Sequence, residues 1–260
     1  MRLRVFASGS KGNALAVRSA RGQLLLVDLG LSHRELKARA EVCCVDVGKA
    51  CGVLFTHDHV DHFTGVAQFH KHYPDVPLFA NGGTADAIAA KSGVSDGWAV
   101  FETACEFEIG DFRVTPFSIS HDAADPVGYL IEDGASALFI GTDTGVVTTG
   151  VRDAFGRCDC AVLESNHDPV LLQTSNRSPA LKQRIAGRSG HLANEDAAAL
   201  FREVNPSRLK ALLLAHLSEE CNTPSLARAA MKQALADCGR SDVQLAILEQ
   251  QAPSDLVEIP

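Results

Sequence analysis

Three histidines and two aspartates fall within six residues, His57-Asp58-His59-Val60-Asp61-His62, one residue after the apolar run Val53-Leu54-Phe55. A short apolar run of this kind reads as a buried strand. The fold must therefore bring a crowded polar turn to the end of a core strand. Residues two apart in extended backbone share a face, so His57 and His59 stand side by side. Asp61 and His62 arrive as the chain turns into a helix expected from Phe63, and they approach from another side. One loop thus offers two groups of imidazole and carboxylate ligands, the types that suit zinc, manganese or iron. The plain alternative is a solvated loop rich in histidine. It leaves the placement after a core strand unexplained.

The surrounding pattern predicts strands over 2–6, 14–18, 23–27, 52–55, 77–80, 99–101, 112–119, 127–131, 137–140, 161–164, 211–214 and 243–248. Helices are expected near 32–40, with Ser32 as cap, and over 63–73, 84–91, 179–186, 194–204 and 224–238. Strand-rich runs flanked by helices indicate an α/β fold of α+β character, layered around more than one sheet. Without a linker, low-complexity tract or short repeat, residues 1–260 read as a single domain.

Further metal-competent residues recur just past expected strands: His121 after 112–119, Asp143 within Gly141-Thr142-Asp143-Thr144-Gly145, and His216 after 211–214. Strand ends are where α/β folds gather functional groups. Each is weak alone and gains weight beside the His57–His62 cluster.

This order of ligands resembles the metallo-β-lactamase superfamily. Asp28, in Val27-Asp28-Leu29-Gly30, matches its early aspartate. Longer motifs resemble the YycJ/WalJ-type branch, small bacterial proteins associated with exonuclease activity on single-stranded DNA. These are Ala7-Ser8-Gly9-Ser10-Lys11-Gly12-Asn13, Ser120-His121-Asp122-Ala123-Ala124-Asp125-Pro126, Glu164-Ser165-Asn166-His167-Asp168, Gly190-His191-Leu192-Ala193-Asn194 and Ala215-His216-Leu217-Ser218. Ala193 stands where the branch commonly has Ser, and Glu219-Glu220-Cys221-Asn222 where an Asn-rich run is common. The resemblance implies a four-layer αββα sandwich with two mixed sheets. It implies two divalent metal ions, Zn2+ or Mn2+ with Fe as a further option. His57, His59 and His121 would hold one, Asp61, His62 and His216 the other, and Asp143 would bridge them.

Two cations about 3.5–4 Å apart can share one water and activate it as a bridging hydroxide for in-line attack on phosphorus. Asp61 would also orient that nucleophile. Asp28 and Asp58 are candidates to fix the histidine tautomers. His191, in a glycine-flanked turn before a helix, is the candidate general acid; the alternative is a helix-entry residue bonded to backbone. Ser10, Asn13 and Asn166 are candidate substrate contacts, with bracing of their loops as the competing role. His167 is expected to brace its loop. His33, His70 and His72 read as surface residues.

The expected activity is a dinuclear phosphodiester hydrolase, an exonuclease on single-stranded DNA. Thioester or lactone hydrolysis, as in glyoxalase II-like members, and small-nucleotide phosphodiesterase activity are the alternatives, because the same ligands serve all three. A net charge of −8, from 24 basic and 32 acidic residues, argues against stable duplex DNA binding. Aromatic residues are 6% of the chain, too few for a long base-stacking platform. A single-stranded end or a nucleotide fits better. No apolar stretch nears the ~20 residues of a bilayer span, and no signal-peptide core follows Met1. A cytoplasmic protein with no membrane partner is expected, its eight cysteines buried as free thiols.

Overall fold

Most interior strands are apolar at successive residues, which requires that both faces of each sheet be covered. The computed structural model describes every residue except Ala135. Its first sheet contains β1 (Arg2–Ala7), β2 (Ala14–Arg18), β3 (Leu24–Val27), β4 (Ala50–Leu54), β5 (Leu78–Asn81) and β6 (Trp98–Phe101). The second contains β7 (Phe107–Ile109), β8 (Phe112–Ser118), β9 (Val127–Asp133), β10 (Ser136–Gly141), β11 (Cys160–Glu164), β12 (Ala211–Ala215) and β13 (Gln244–Ile247). A last strand, β14 (Val257–Glu258), returns to pair antiparallel with β1. The sheet orders are β14-β1-β2-β3-β4-β5-β6 and β13-β12-β11-β10-β9-β8-β7. β3 to β6 run parallel, as do β10 to β13.

Helices α1 (His33–Val42), α2 (Val60–Phe63), α3 (Val66–His72) and α4 (Gly82–Ser92) accompany the first sheet. With the second come α5 (Thr149–Gly156), α6 (Pro169–Thr174), α7 (Pro179–Ile185), α8 (Asn194–Val204) and α9 (Pro224–Asp237). Strand alternation divides the core into three layers. Val5, Leu54, Leu138, Val162 and Leu213 fill the space between the sheets. Phe139, Leu163, Leu212 and Leu214 face α5, α8 and α9. Phe6, Val53 and Leu78 pack against α1, α3 and α4. The result is the expected αββα sandwich. The fully buried Tyr129 on β9 ties the sheets together by donating its hydroxyl to the Phe55 carbonyl.

The helix expected over 63–73 is broken into α2 and α3. Gly65 lies at the break, and its N–H donates to Leu29 O at 2.8 Å. A Cβ on Gly65 would lie 2.4 Å from Leu31 O, so the chains meet where no side chain fits. Gly30 is tighter still, with a virtual Cβ 1.6 Å from Asp61 O. This contact seats the His57–His62 turn on the loop after β3. Gly30→Ala is expected to cost several kcal/mol of stability and to displace Asp61. A lowered melting temperature together with weaker metal uptake would register both effects.

Elements β7, α5, α6 and β14 were not expected. The histidines outside the motif also need correction: His72 is exposed, but His33 and His70 are half-buried. The His33 ring stacks on His72 at 4.5 Å, and His70 Nε2 lies 3.2 Å from Asp96. The cysteines are free, yet Cys44 and Cys105 are exposed rather than buried. Among the described residues, no helix is long and apolar enough to cross a membrane.

Candidate metal centre

The centre lies where strand ends of both sheets meet. β4 runs into His57, His59, Asp61 and His62. β3 ends at Asp28, β8 leads to His121, β10 to Asp143, and β12 to His216. Asp28, Asp143 and His216 have φ of 59°, 58° and 55°. A left-handed backbone at a non-glycine residue costs on the order of 1–3 kcal/mol and persists only where its surroundings over-determine it. Three such residues at three strand ends, all at one site, turn their side chains where continued strand could not.

Ligand-competent atoms group within 4.8 Å of one another in overlapping sets. One set is His57, His59 and His121; another is Asp61, His62 and His216. Asp143 joins His57 and His62 in a third set, and Glu164, His191 and His216 in a fourth. All seven predicted ligands are therefore brought together, with Asp143 between the two triads. His121 Nε2 lies 3.1 Å from His59 Nδ1, and His62 Nε2 lies 3.4 Å from Asp143 Oδ2.

Hydrogen bonds on the far sides of the rings set their tautomers. His62 Nδ1 donates to Asp28 Oδ2 at 2.7 Å, and His216 Nδ1 to Glu164 Oε1 at 3.0 Å. His121 Nδ1 donates to Gly190 O at 3.0 Å. Thr56 Oγ1 gives its proton to Asp28 and accepts from His57 Nδ1 at 3.0 Å. In each of these rings Nε2 is the nitrogen left for the cluster. His59 is reversed: its Nε2 faces Asp122 O at 3.2 Å, leaving Nδ1 toward the cluster. Carboxylates and carbonyls behind imidazoles are the usual support of a metal site.

Among the described residues, His57 Nε2, Asp143 Oδ2 and His216 Nε2 are buried without any hydrogen-bond partner. Leaving a buried polar atom unpaired costs about 1–3 kcal/mol, and more when the group is charged. Three such atoms, on residues that each belong to one or more of the ligand sets, fit a bound divalent cation.

Charge is balanced unevenly across the centre. Burial, then the neighbouring His62, pushes His57 well below the usual imidazole range, and burial lowers His121 as well. Burial also opposes protonation of His216, but Asp143, Asp61 and Glu164 outweigh it and raise the ring to about 10. Asp28, Asp143 and Asp61 lift His62 in the same way. Burial alone would raise Glu164, yet His191 and His216 hold it at about 2. His57 and His121 are therefore held neutral, while His62 and His216 favour the protonated form.

These values predict how the metal-free protein responds to pH. The raised His216 contributes stability that is complete below its unfolded value of 6.5 and is lost as pH rises toward about 10. The depressed Glu164 contributes stability that is complete above 4.5 and is lost as pH falls toward about 2. The pair is thus most stabilising between 4.5 and 6.5. Urea unfolding of chelator-stripped protein across pH 3–10 checks this; a midpoint that keeps rising above neutrality would contradict it.

The remaining predicted residues take varied places. Asp28 holds His62 and Thr56. Asp58 bonds no histidine: it pairs with Lys91 and accepts from Ala124 N at 2.9 Å, so it fastens the turn to α4 and the loop after β8. Asn13 is buried, with its amide 3.0 Å from His62 Nε2 and 3.1 Å from Gly9 O. Asn166 is buried and donates to His216 O at 2.8 Å. Ser10 is exposed at the loop tip. His191 is partly exposed, and its Nδ1 donates to Glu164 Oε1 at 2.8 Å. His167 is buried, with a bridge to Ala193 and Nδ1 unpaired among the described residues.

Residues 25–216 match the family described as the Beta-lactamase superfamily domain. The chain belongs to the metallo-β-lactamase superfamily, in its YycJ/WalJ-type branch. It is 35% identical over 237 residues to exodeoxyribonuclease YycJ of Bacillus anthracis, spanning 90% of this chain and 89% of that protein. Identity to exodeoxyribonuclease WalJ of Streptococcus pneumoniae is 32% over 236 residues, spanning 89% and 87%. Among solved structures, the metallo-β-lactamase fold protein YhfI from Bacillus subtilis superposes with a TM-score of 0.69 at 17% identity, over 98% of this chain and 99% of that one. Membership in this superfamily and the two exodeoxyribonuclease relatives make the chain a metal-dependent hydrolase.

Within this metallo-β-lactamase framework, two residues escaped sequence reasoning. Glu164 is fully buried at the end of β11 and accepts from His191, His216, Thr144 N and Leu192 N. Its signal was an acid closing the apolar run Cys160-Ala161-Val162-Leu163. Thr56 joins Asp28 to His57, and as a threonine before a histidine it carried no signal of its own.

Proposed function

We propose that the chain is a dinuclear phosphodiester hydrolase that acts as an exonuclease on single-stranded DNA. The observation carrying the metal half of this reading is the convergence of His57 Nε2, Asp143 Oδ2 and His216 Nε2, buried and unpaired. Support for the phosphodiester half comes from the two relatives bearing the name exodeoxyribonuclease, each matched over most of its length.

His57, His59 and His121 would hold one cation and Asp61, His62 and His216 a second, with Asp143 shared. Zinc or manganese suits this mixture of imidazole and carboxylate, and iron is compatible. Two such cations supply the charge that acidifies a water and neutralises a phosphate's oxygens. The chain's own groups do the rest. Asp28 and Glu164 hold His62 and His216 in one tautomer. Asp61, partly open at the rim, orients a water. His191, partly exposed and held at Nδ1 by Glu164, is the candidate donor to a departing alkoxide. Asn13 and Asn166 steady the loops that carry Asp61 and His216, and Ser10 stands open to a substrate.

The test compares 5′-phosphorylated single-stranded DNA, bis-p-nitrophenyl phosphate and S-lactoylglutathione with protein of measured metal content. Phosphodiester cleavage with about two metals per chain is expected. Hydrolysis of the thioester alone would replace this reading with the glyoxalase II-like one.

A further inference from the structure

β1 and β2 pair antiparallel with Arg2 directly opposite Arg18 and Arg4 opposite Ala16. Residues two apart on a strand share a face, so all three guanidinium groups leave the sheet on one side. It is the side of Phe6, which packs toward α1. Like charges directly opposite one another destabilise a sheet. The chain has acids to spare, with a net charge of −8, yet among the three arginines only Arg2 pairs with one, Glu258 at 3.3 Å. Arg4 and Arg18 are half-buried and bond carbonyls instead. Arg4 Nη1 donates to Ser254 O at 2.7 Å and Arg18 Nη1 to Gly22 O at 3.0 Å, and neither meets a carboxylate among the described residues. Arg4 Nε is buried with no hydrogen-bond partner among them. A buried donor left unmet on a charged group is costly.

Arg2, Arg4 and Arg18 line one cavity of about 190 Å³, closed on the far side by the segment that follows α1. Among the described residues, no acid lines it. Its other walls are apolar side chains and the thiols of Cys43 and Cys44. Burial pushes the Cys43 thiol up, so it adds no negative charge. Pockets for drug-sized ligands span about 300–1,000 Å³. This one falls below that range and suits a compact ion rather than a nucleoside.

We propose that Arg2, Arg4 and Arg18 form a binding site for a phosphate dianion, either free or as the terminal monoester of a larger molecule. Glu258 offsets the charge of Arg2 and leaves those of Arg4 and Arg18 unmatched. A phosphate monoester carries close to that opposite charge near neutral pH. Planar guanidinium groups present paired N–H donors that match its oxygens. A carboxylate, with a single charge, would leave one arginine unmatched. The site is separate from the metal centre. Arg2 stands six residues before Ser8, whose Oγ accepts from His216 N at 2.9 Å, and those residues span roughly 20 Å of strand. Failure of this proposal would leave the phosphodiester reading untouched.

Cys44 is exposed and lines the cavity, whereas Cys105 is exposed elsewhere, beside β7. Their rates of alkylation by iodoacetamide, read by peptide mass spectrometry on the metal-loaded protein, therefore report occupancy of the site. Inorganic phosphate and 2-deoxyribose 5-phosphate are compared with acetate at equal ionic strength. At about ten times its half-protecting concentration, phosphate is expected to slow Cys44 about tenfold and to leave Cys105 unchanged. Arg4→Met and Arg18→Met keep an apolar stem, and each is expected to remove most of that protection. Melting temperatures verify that both variants are folded. Protection by the sugar phosphate as well assigns the site to a terminal monoester, and protection by inorganic phosphate alone assigns it to the free ion. An unprotected Cys44, equal protection by acetate, or protection that both variants retain would overturn the proposal.

Discussion

Asp143→Ala is expected to lose at least one metal ion per chain and nearly all turnover, by about a thousandfold or more, since each tenfold is about 1.4 kcal/mol and the metal clamp supplies several. Asp143 is 2% exposed, and its oxygens reach His62 at 3.4 Å, His216 at 3.3 Å and His121 at 3.9 Å. Burial would push this carboxyl up, but His216 and His62 hold it well below the ordinary range, so it is ionised throughout the working pH. No other described acid stands between both triads. Removing it takes away the carboxylate that faces His62, His216 and His121 together, and leaves Asp61 beside the first two only. Metal analysis of the purified variant and turnover on bis-p-nitrophenyl phosphate measure the two losses. Full metal content with full activity would dismantle the proposed ligand set.

Glu164→Gln tests a residue that sequence reading placed in a motif without giving it a role. The carboxylate has four donors around it: two imidazole N–H groups and two backbone amides. A glutamine can accept on one side only and turns its own N–H2 against the other donors. The buried mismatch is expected to cost roughly 2–4 kcal/mol of stability. Metal affinity should fall roughly 10- to 100-fold, as for other supports behind a ligating histidine. Turnover should fall too, because His191 loses the carboxylate that holds its Nδ1–H. Unchanged turnover of the metal-saturated variant would reduce Glu164 to a structural support for His216 and detach His191 from the chemistry.

Loading the centre also releases protons. His62 and His216 are protonated in the metal-free state because acids surround them. A cation must displace those protons, so uptake is expected to weaken as pH falls. The triad of His57, His59 and His121 carries no such burden at His57 and His121, which burial keeps neutral.

Local pattern was enough for much of this molecule. The His57–His62 turn could be read directly, because five ligand-type residues in six positions after a core strand have few other uses. The interior strands announced themselves by unbroken apolar runs, and α8 and α9 by their periodicity. His121, Asp143 and His216 were found because each stands just past such a run. Elements that depend on few residues were not found: β7 has three residues and β14 two. α6 was missed despite Asp168, whose Oδ1 accepts from Val170 N and Leu171 N, and Pro169 at its first turn.

Tertiary structure decided whatever depends on which strand ends become neighbours. Asp28 and Asp58 look alike in sequence, yet one fell behind His62 and the other beside Lys91. The break between α2 and α3 follows from Leu29 and Leu31, more than thirty residues upstream of Gly65. Glu164 acquired its role from His191 and His216, which lie 27 and 52 residues further along the chain. Sequence determines which side chains are able to ligate and which segments must be buried, because those are properties of residues and their spacing. Pairing of a ligand with the group behind it is a property of distance, and distance across two sheets exists only once the chain has folded.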